Sequence, residues 1–119
     1  MRKTDKKMDN QLRHVLTEVC EVALKDINGF QWLTHVVNYS NFPKSLQVVC
    51  VFDTNKNLSY FMSKKTKIEL DGLIQLKLST INLAVNNATD HVFYDTEQNC
   101  DEEHQGKWVN RLVQKSYGS

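Results

Sequence analysis

The stretch "KKTKIELDGLIQLKLST", Lys64 to Thr80, admits two foldings, and the choice between them decides the architecture of the chain. The segment "ELDGLIQLKL" alternates apolar and polar residues, and Asp71-Gly72 is a dipeptide that closes tight β-hairpins. Against this, Thr66 followed by Glu69 has the spacing of a capping box, in which each side chain satisfies a backbone N–H at a helix start. Leu70, Ile74, Leu78 and Ile81 then recur at helical spacing towards Val85, whereas the alternation stops at Ser79-Thr80. The helical reading is preferred, and it places a helix in the middle of the chain where an extra hairpin would otherwise stand.

The flanks follow by the same reasoning. Just upstream, Thr54 can cap a short helix whose apolar residues are Leu58, Phe61 and Met62 and which stops near "SKKT". Before that, "QWLTHVVNY" and "LQVVCVFD" are β-branched and aromatic, and "SNFPKS" between them supplies turn chemistry with Pro43, so the pair predicts an antiparallel hairpin. In its second strand Leu46, Val48, Cys50 and Phe52 face one side and Gln47, Val49, Val51 and Asp53 the other. At the N-terminus, Met8, Leu12, Val15, Leu16, Val19, Ala23 and Ile27 form one face of a helix over residues 8–27, with Asp9 placed to cap it and Gly29 to end it. Downstream, "NNATD" breaks the chain, "HVFYDTE" predicts a third strand, and an acidic loop leads to a last helix, "KWVNRLVQKS". Trp108, Val109, Leu112 and Val113 mark the apolar side of that helix, and Lys107, Arg111 and Lys115 a basic ridge at successive i+4 steps.

The expected fold is therefore α+β: a small three-stranded sheet covered by helices in the order α-β-β-α-α-β-α. With 119 residues, 40% hydrophobic and 24% charged, the chain suits one core, and one proline and four glycines leave no room for an obvious linker. One domain over residues 1–119 is expected, with residues 1–7 a flexible basic tail. The charged N-terminus lacks the apolar core of a secretory signal, and no apolar run approaches the roughly 20 residues that span a bilayer, so no membrane association is expected. Three cysteines, an odd number at wide spacing, fit a reducing compartment and a cytoplasmic location.

The densest set of reactive side chains is "HVFYDTEQNCDEEH", His91 to His104, where carboxylates, a thiol and two imidazoles gather without a lysine or arginine. A structural zinc site needs close local pairs of ligands, and only Cys100 and His104 are close, so no metal or other cofactor is expected. Asp53 and Asp95 end two strands in the similar contexts "VFDT" and "FYDT", with Glu97 beside the second, and could serve a metal-dependent nuclease. Aspartate then threonine at a strand end is equally an ordinary turn or helix cap. No nucleophile elbow and no glycine-rich phosphate loop occurs, which removes the common hydrolase and nucleotide-binding classes.

The net charge of +1 conceals a segregated distribution. Arg2, Lys3, Lys6 and Lys7 begin the chain, Lys64, Lys65 and Lys67 lie between the two central helices, and Lys107, Arg111 and Lys115 mark the last one. The last two groups are the candidate nucleic-acid-binding residues, with RNA or DNA as partner and no catalytic role expected. The alternative partner is a basic protein docking on the acidic segment Asp95 to Glu103.

The element order, with "VFYD" at 92–95 before a final helix, resembles the type II KH domain and, more closely, the ribosome-binding factor A family. That resemblance implies RNA binding, with Lys64, Lys65 and Lys67 facing the nucleic-acid backbone, although "SKKTK" stands where a KH domain has its GxxG loop. "GFQWLTHVVNYSNFPKSLQVVCVFDT" and "HVFYDTEQNC" also resemble a group of small bacterial proteins labelled Fis-type transcriptional regulators. That second resemblance implies DNA binding through a C-terminal helix-turn-helix, in which "GKWVNRLVQKSYG" would be the recognition helix.

Overall fold

A computed structural model describes residues 2–83, 87–115 and 117. Helix α1 runs Lys3–Asp26, strand β1 Phe30–Val36, strand β2 Gln47–Phe52, helix α2 Asn55–Met62 and helix α3 Lys65–Ser79. Strand β3, Val92–Thr96, is followed directly by α4, Glu97–His104, and then by α5, Trp108–Gln114. The sheet order is β1-β2-β3, with β1 antiparallel to β2 and β2 parallel to β3. This is the expected α+β order, with a mixed sheet and one added helix, α4.

The central strand explains the layering. Val48, Val49, Cys50, Val51 and Phe52 are all fully buried, as a strand covered on both faces requires. On one face, Val48, Cys50 and Phe52 meet Leu12, Leu16 and Val19 of α1 and Ile74 and Leu78 of α3 in a single core cluster. Phe52 stacks against Phe61 of α2, their ring centres 4.7 Å apart, and Phe61 in turn meets Tyr94 at 5.4 Å. The register sets Trp32, Val51 and Asp95 side by side on the opposite face, with Val49 beside Phe93. The C-terminal segment covers this face: Trp108 meets Trp32 edge-on at 4.8 Å, and Tyr117 lies 6.3 Å from Phe93.

The deciding stretch is helical throughout, but not by way of the capping box. The helix opens one residue before Thr66, with Lys64 in the extended N-cap position and no side-chain cap. Glu69 is exposed. The apolar stripe Leu70, Ile74 and Leu78 is buried as expected, α3 ends at Ser79, and Val85 lies outside the described residues. Asp71 serves as a buried acceptor instead of a turn residue. It takes a hydrogen bond from the Tyr94 hydroxyl at 2.5 Å and an ion pair with Lys67, one helical turn back, at 2.7 Å.

Gly72 is then an ordinary, exposed mid-helix position, where a methyl group would meet nothing within 4 Å. Gly72→Ala is expected to stabilise the protein by about 0.5–1 kcal/mol, because alanine loses less backbone entropy in a helix. Urea denaturation measures it, and a hairpin at Asp71-Gly72 would give destabilisation instead.

Other expectations are corrected. Residues 3–7 are the first turns of α1, not a loose tail. Asp9 therefore lies inside the helix, where it accepts from His35 Nε2 and from the Tyr39 hydroxyl, both at 2.8 Å, and ties α1 to β1 and its following turn. The acidic loop is α4, capped by the Thr96 hydroxyl accepting from the Asn99 N–H. The last helix is rotated relative to its apolar pattern: Trp108 and Leu112 are half-buried as expected, but Val109 and Val113 are 77% and 81% exposed, while Arg111 is fully buried.

Candidate nucleic-acid interface

The carboxyl ends of β2 and β3 carry the richest polar chemistry, and they are built as twins. In each, an aspartate carboxylate accepts the N–H of the following threonine: Asp53 from Thr54 at 2.6 Å and Asp95 from Thr96 at 2.9 Å. Each threonine hydroxyl then caps a helix through the N–H three residues on, and the asparagine at that position, Asn57 or Asn99, returns its side-chain amide to the aspartate. The two turns are laced together: the Asn55 N–H donates to Gln98 Oε1 and the Gln98 N–H to the Asp53 carbonyl. Asn55 also joins Thr96 and Asn99 through its side chain. Gly29 permits the close approach of the preceding loop. Its φ is +89°, and a Cβ there would lie 2.8 Å from that of Asn57.

Asp95 is sealed into this frame by Arg111. The guanidinium donates through Nε and one terminal nitrogen to the two carboxylate oxygens, at 2.6 and 2.9 Å, and through the other to Glu103 at 2.6 Å. Tyr117 adds a hydroxyl donor to Asp95. Burial pushes the Asp95 carboxyl up, but the bonds from Arg111, then from Tyr117, Thr96 and Asn99, outweigh it and hold it below the usual aspartate value. Arg111 also donates to His104 Nδ1 at 3.1 Å, which leaves His104 Nε2 to donate to Gln114. Glu97 accepts from both tryptophan N–H groups, Trp32 at 2.7 Å and Trp108 at 3.1 Å. Among the described residues no group of three or more His, Cys, Asp or Glu side chains is placed to share a metal ion. Cys100 is the buried residue of α4, and burial raises its thiol pKa.

These contacts redistribute the basic candidates. Arg111 is a structural ion-pair partner with no exposed surface, and Lys67 is held by Asp71 with its ammonium 5.6 Å from the centre of the Tyr94 ring. Lys107 and Lys115 flank α5 in solvent, so the ridge Lys107, Arg111, Lys115 does not form one face. Lys64 and Lys65 are exposed at the α2–α3 corner, Lys64 over the open ring of Tyr60 at 4.8 Å. Of the acidic segment, Asp95 and Glu97 are engaged inside the protein and Glu103 pairs with Arg111 from the surface, which leaves Asp101 and Glu102 outward.

A cationic surface lies elsewhere, along the first half of α1. Lys3, Lys6 and Lys7 border a shallow, open cleft of about 590 Å³ that is also lined by Asn10, Gln11, His14 and Ile81. Among the described residues no carboxylate lines it. Among the described residues, these three lysines have no ion-pair partner. Their location is unfavourable for the helix itself, since the N-terminal end of a helix carries partial positive charge and favours acidic residues. The basic start of the sequence was visible from the outset; the signal missed was that it belongs to a helix and hence has one face.

No protein-family model matches the chain, and comparison with curated proteins and with solved structures finds no significant match. Among the described residues no helix is long and apolar enough to cross a membrane.

Proposed function

We propose that this chain is a non-enzymatic nucleic-acid-binding protein that takes single-stranded or structured RNA in the α1 cleft. The observation that carries the reading is a carboxylate-free cleft bordered by three unpaired lysines in the opening turns of a helix. The lysines neutralise backbone phosphates, while the amides of Asn10 and Gln11 and the imidazole of His14 offer hydrogen bonds to exposed base edges, a combination suited to unstacked nucleotides. Lys64 and Lys65, with the exposed ring of Tyr60 beside them, form a second basic point, at the position where the KH-like element order would put the nucleic-acid backbone.

The test is fluorescence anisotropy of labelled single-stranded RNA and of duplex DNA across a salt series. Binding of RNA to the unaltered protein should weaken steeply with salt. For Lys3→Ala/Lys6→Ala/Lys7→Ala the slope of log K against log salt should be shallower by about 2, since each phosphate contact on a single strand contributes about 0.7. A variant at Lys64 and Lys65 should lose less. If that corner variant alone abolishes binding, the α2–α3 corner is the site and the cleft reading fails. If neither nucleic acid binds at low salt, the whole reading fails.

A further inference from the structure

The two ends of α1 differ in chemistry. Beyond His14 the helix carries Glu18, Glu21 and Asp26 with only Lys25 opposed to them, and this half packs alongside α3. The Glu18 to Lys77 ion pair, at 3.6 Å, marks one end of the contact, and a hollow of about 200 Å³ bordered by Asp26 and Glu69 marks the other. The floor of that hollow is apolar: Val22 and Ala23 from α1, Ile27 just past its end, and Leu70 and Leu73 from α3. Val22 is 44% exposed, although its neighbours Ala23 and Leu70 are in the core. A second hollow, bordered by Glu18, Glu21, Lys25 and Lys77, shares Val22 and Asp26 with the first, so the two form one trough along the helix pair, with four carboxylates against two lysines on its rims.

Its rims have one sign in excess. Asp26 and Glu69 stand across the trough from each other, one on each helix, and among the described residues neither has an ion-pair or hydrogen-bond partner. Among the described residues no lysine or arginine lines the hollow they border. Unpaired carboxylates above an apolar floor complement a segment that presents apolar side chains between cations, and they repel an acidic one. From Glu18 to Ile27 the trough is about 14 Å long at 1.5 Å per residue, room for two to three turns of helix.

We infer that the α1–α3 trough docks a short cationic amphipathic helix of a partner protein, its apolar face on Val22 and Leu73 and its lysine or arginine side chains on Asp26 and Glu69. This surface lies at the opposite end of α1 from the RNA cleft and does not depend on it. It also moves the acidic docking site from the segment Asp95 to Glu103 to the helix pair.

The probes are two fluorescein-labelled amphipathic peptides of about twelve residues, one of leucine and lysine and the other of leucine and glutamate, titrated by anisotropy and mapped by 15N chemical shifts. The lysine peptide should bind at least about tenfold tighter, with shifts centred on Val22, Ala23, Ile27, Leu70 and Leu73. Asp26→Lys/Glu69→Lys, at two exposed positions, should reverse the preference, and Leu73→Ser should weaken both peptides. Equal binding of the two peptides, shifts centred on Asp101 and Glu102, or no binding of the lysine peptide at submillimolar concentration would each overturn the proposal. So would a concentration-dependent dimer in sedimentation that Asp26→Lys/Glu69→Lys dissolves, since the trough would then hold a second copy of the chain.

Discussion

Arg111→Ala is expected to cost about 3–5 kcal/mol, because it leaves a buried carboxylate without its counter-charge. Asp95 and Arg111 are 2% and 1% exposed at their side chains, so neither water nor another cation replaces the lost guanidinium. Two further acceptors, Glu103 and His104, lose their donor in the same step. Urea denaturation followed by far-ultraviolet circular dichroism measures the loss. Lys115→Ala, on the same short segment but exposed, should stay within about 0.5 kcal/mol of the unaltered protein. A cost below about 1 kcal/mol for Arg111→Ala would mean that α5 is not docked on the sheet.

The pH dependence has a definite sign. Hydrogen bonds from Arg111 and its companions depress Asp95 despite burial, and His35 foremost depresses Asp9. A carboxyl depressed in the folded state contributes its full stability above the ordinary aspartate value, about 3.9, and loses it as pH falls through the lower folded value. The urea midpoint of the unaltered protein should therefore fall below about pH 4. In Arg111→Ala, burial acts on Asp95 without the guanidinium to offset it, so protonation relieves the variant. The gap between the two proteins should narrow on acidification.

Asp71→Ala is the second large effect, about 2–3 kcal/mol, from leaving the Tyr94 hydroxyl without its acceptor inside the core. Lys67 loses less, since its side chain is 26% exposed and can turn to solvent. Burial, the nearby Cys50 and the bond to Asp71 all push the Tyr94 phenol up, so it remains a neutral donor. Tyr94→Phe should cost only about 1 kcal/mol, and the double variant should cost less than the sum of the singles, because the first change already breaks the shared bond. Strict additivity in denaturation would show that the hydroxyl and the carboxylate do not interact.

The legible parts of this chain were those where periodicity and burial agree. The stripe Leu12, Val15, Leu16, Val19 and Ala23 and the stripe Leu70, Ile74 and Leu78 both lie in the core. The hairpin of β1 and β2, the Thr54 cap and the third strand also stand as expected. Polar residues were misplaced because their long-range partners are invisible in one dimension. Thr66 and Glu69 have the spacing of a capping box, yet the chain enters α3 one residue earlier. Arg111 lies on what periodicity marks as an exposed ridge, but a buried Asp95 sixteen residues away draws it inward and turns Val109 and Val113 to solvent. The same pairing removed Arg111 from the expected binding surface. Reading the first residues as a tail hid the face on which Lys3, Lys7 and Asn10 align.

The Trp32, Trp108 and Glu97 cluster has an optical consequence. The chain contains two tryptophans, and both lie in this one contact, where strand β1, helix α4 and helix α5 meet. Intrinsic emission thus reports the closure of the C-terminal segment over the sheet and is nearly blind to the α1–α3 side of the molecule. Departure of α5 alone would shift the spectrum to the red while helical ellipticity scarcely changed, so the two signals together would separate loss of that segment from unfolding of the core.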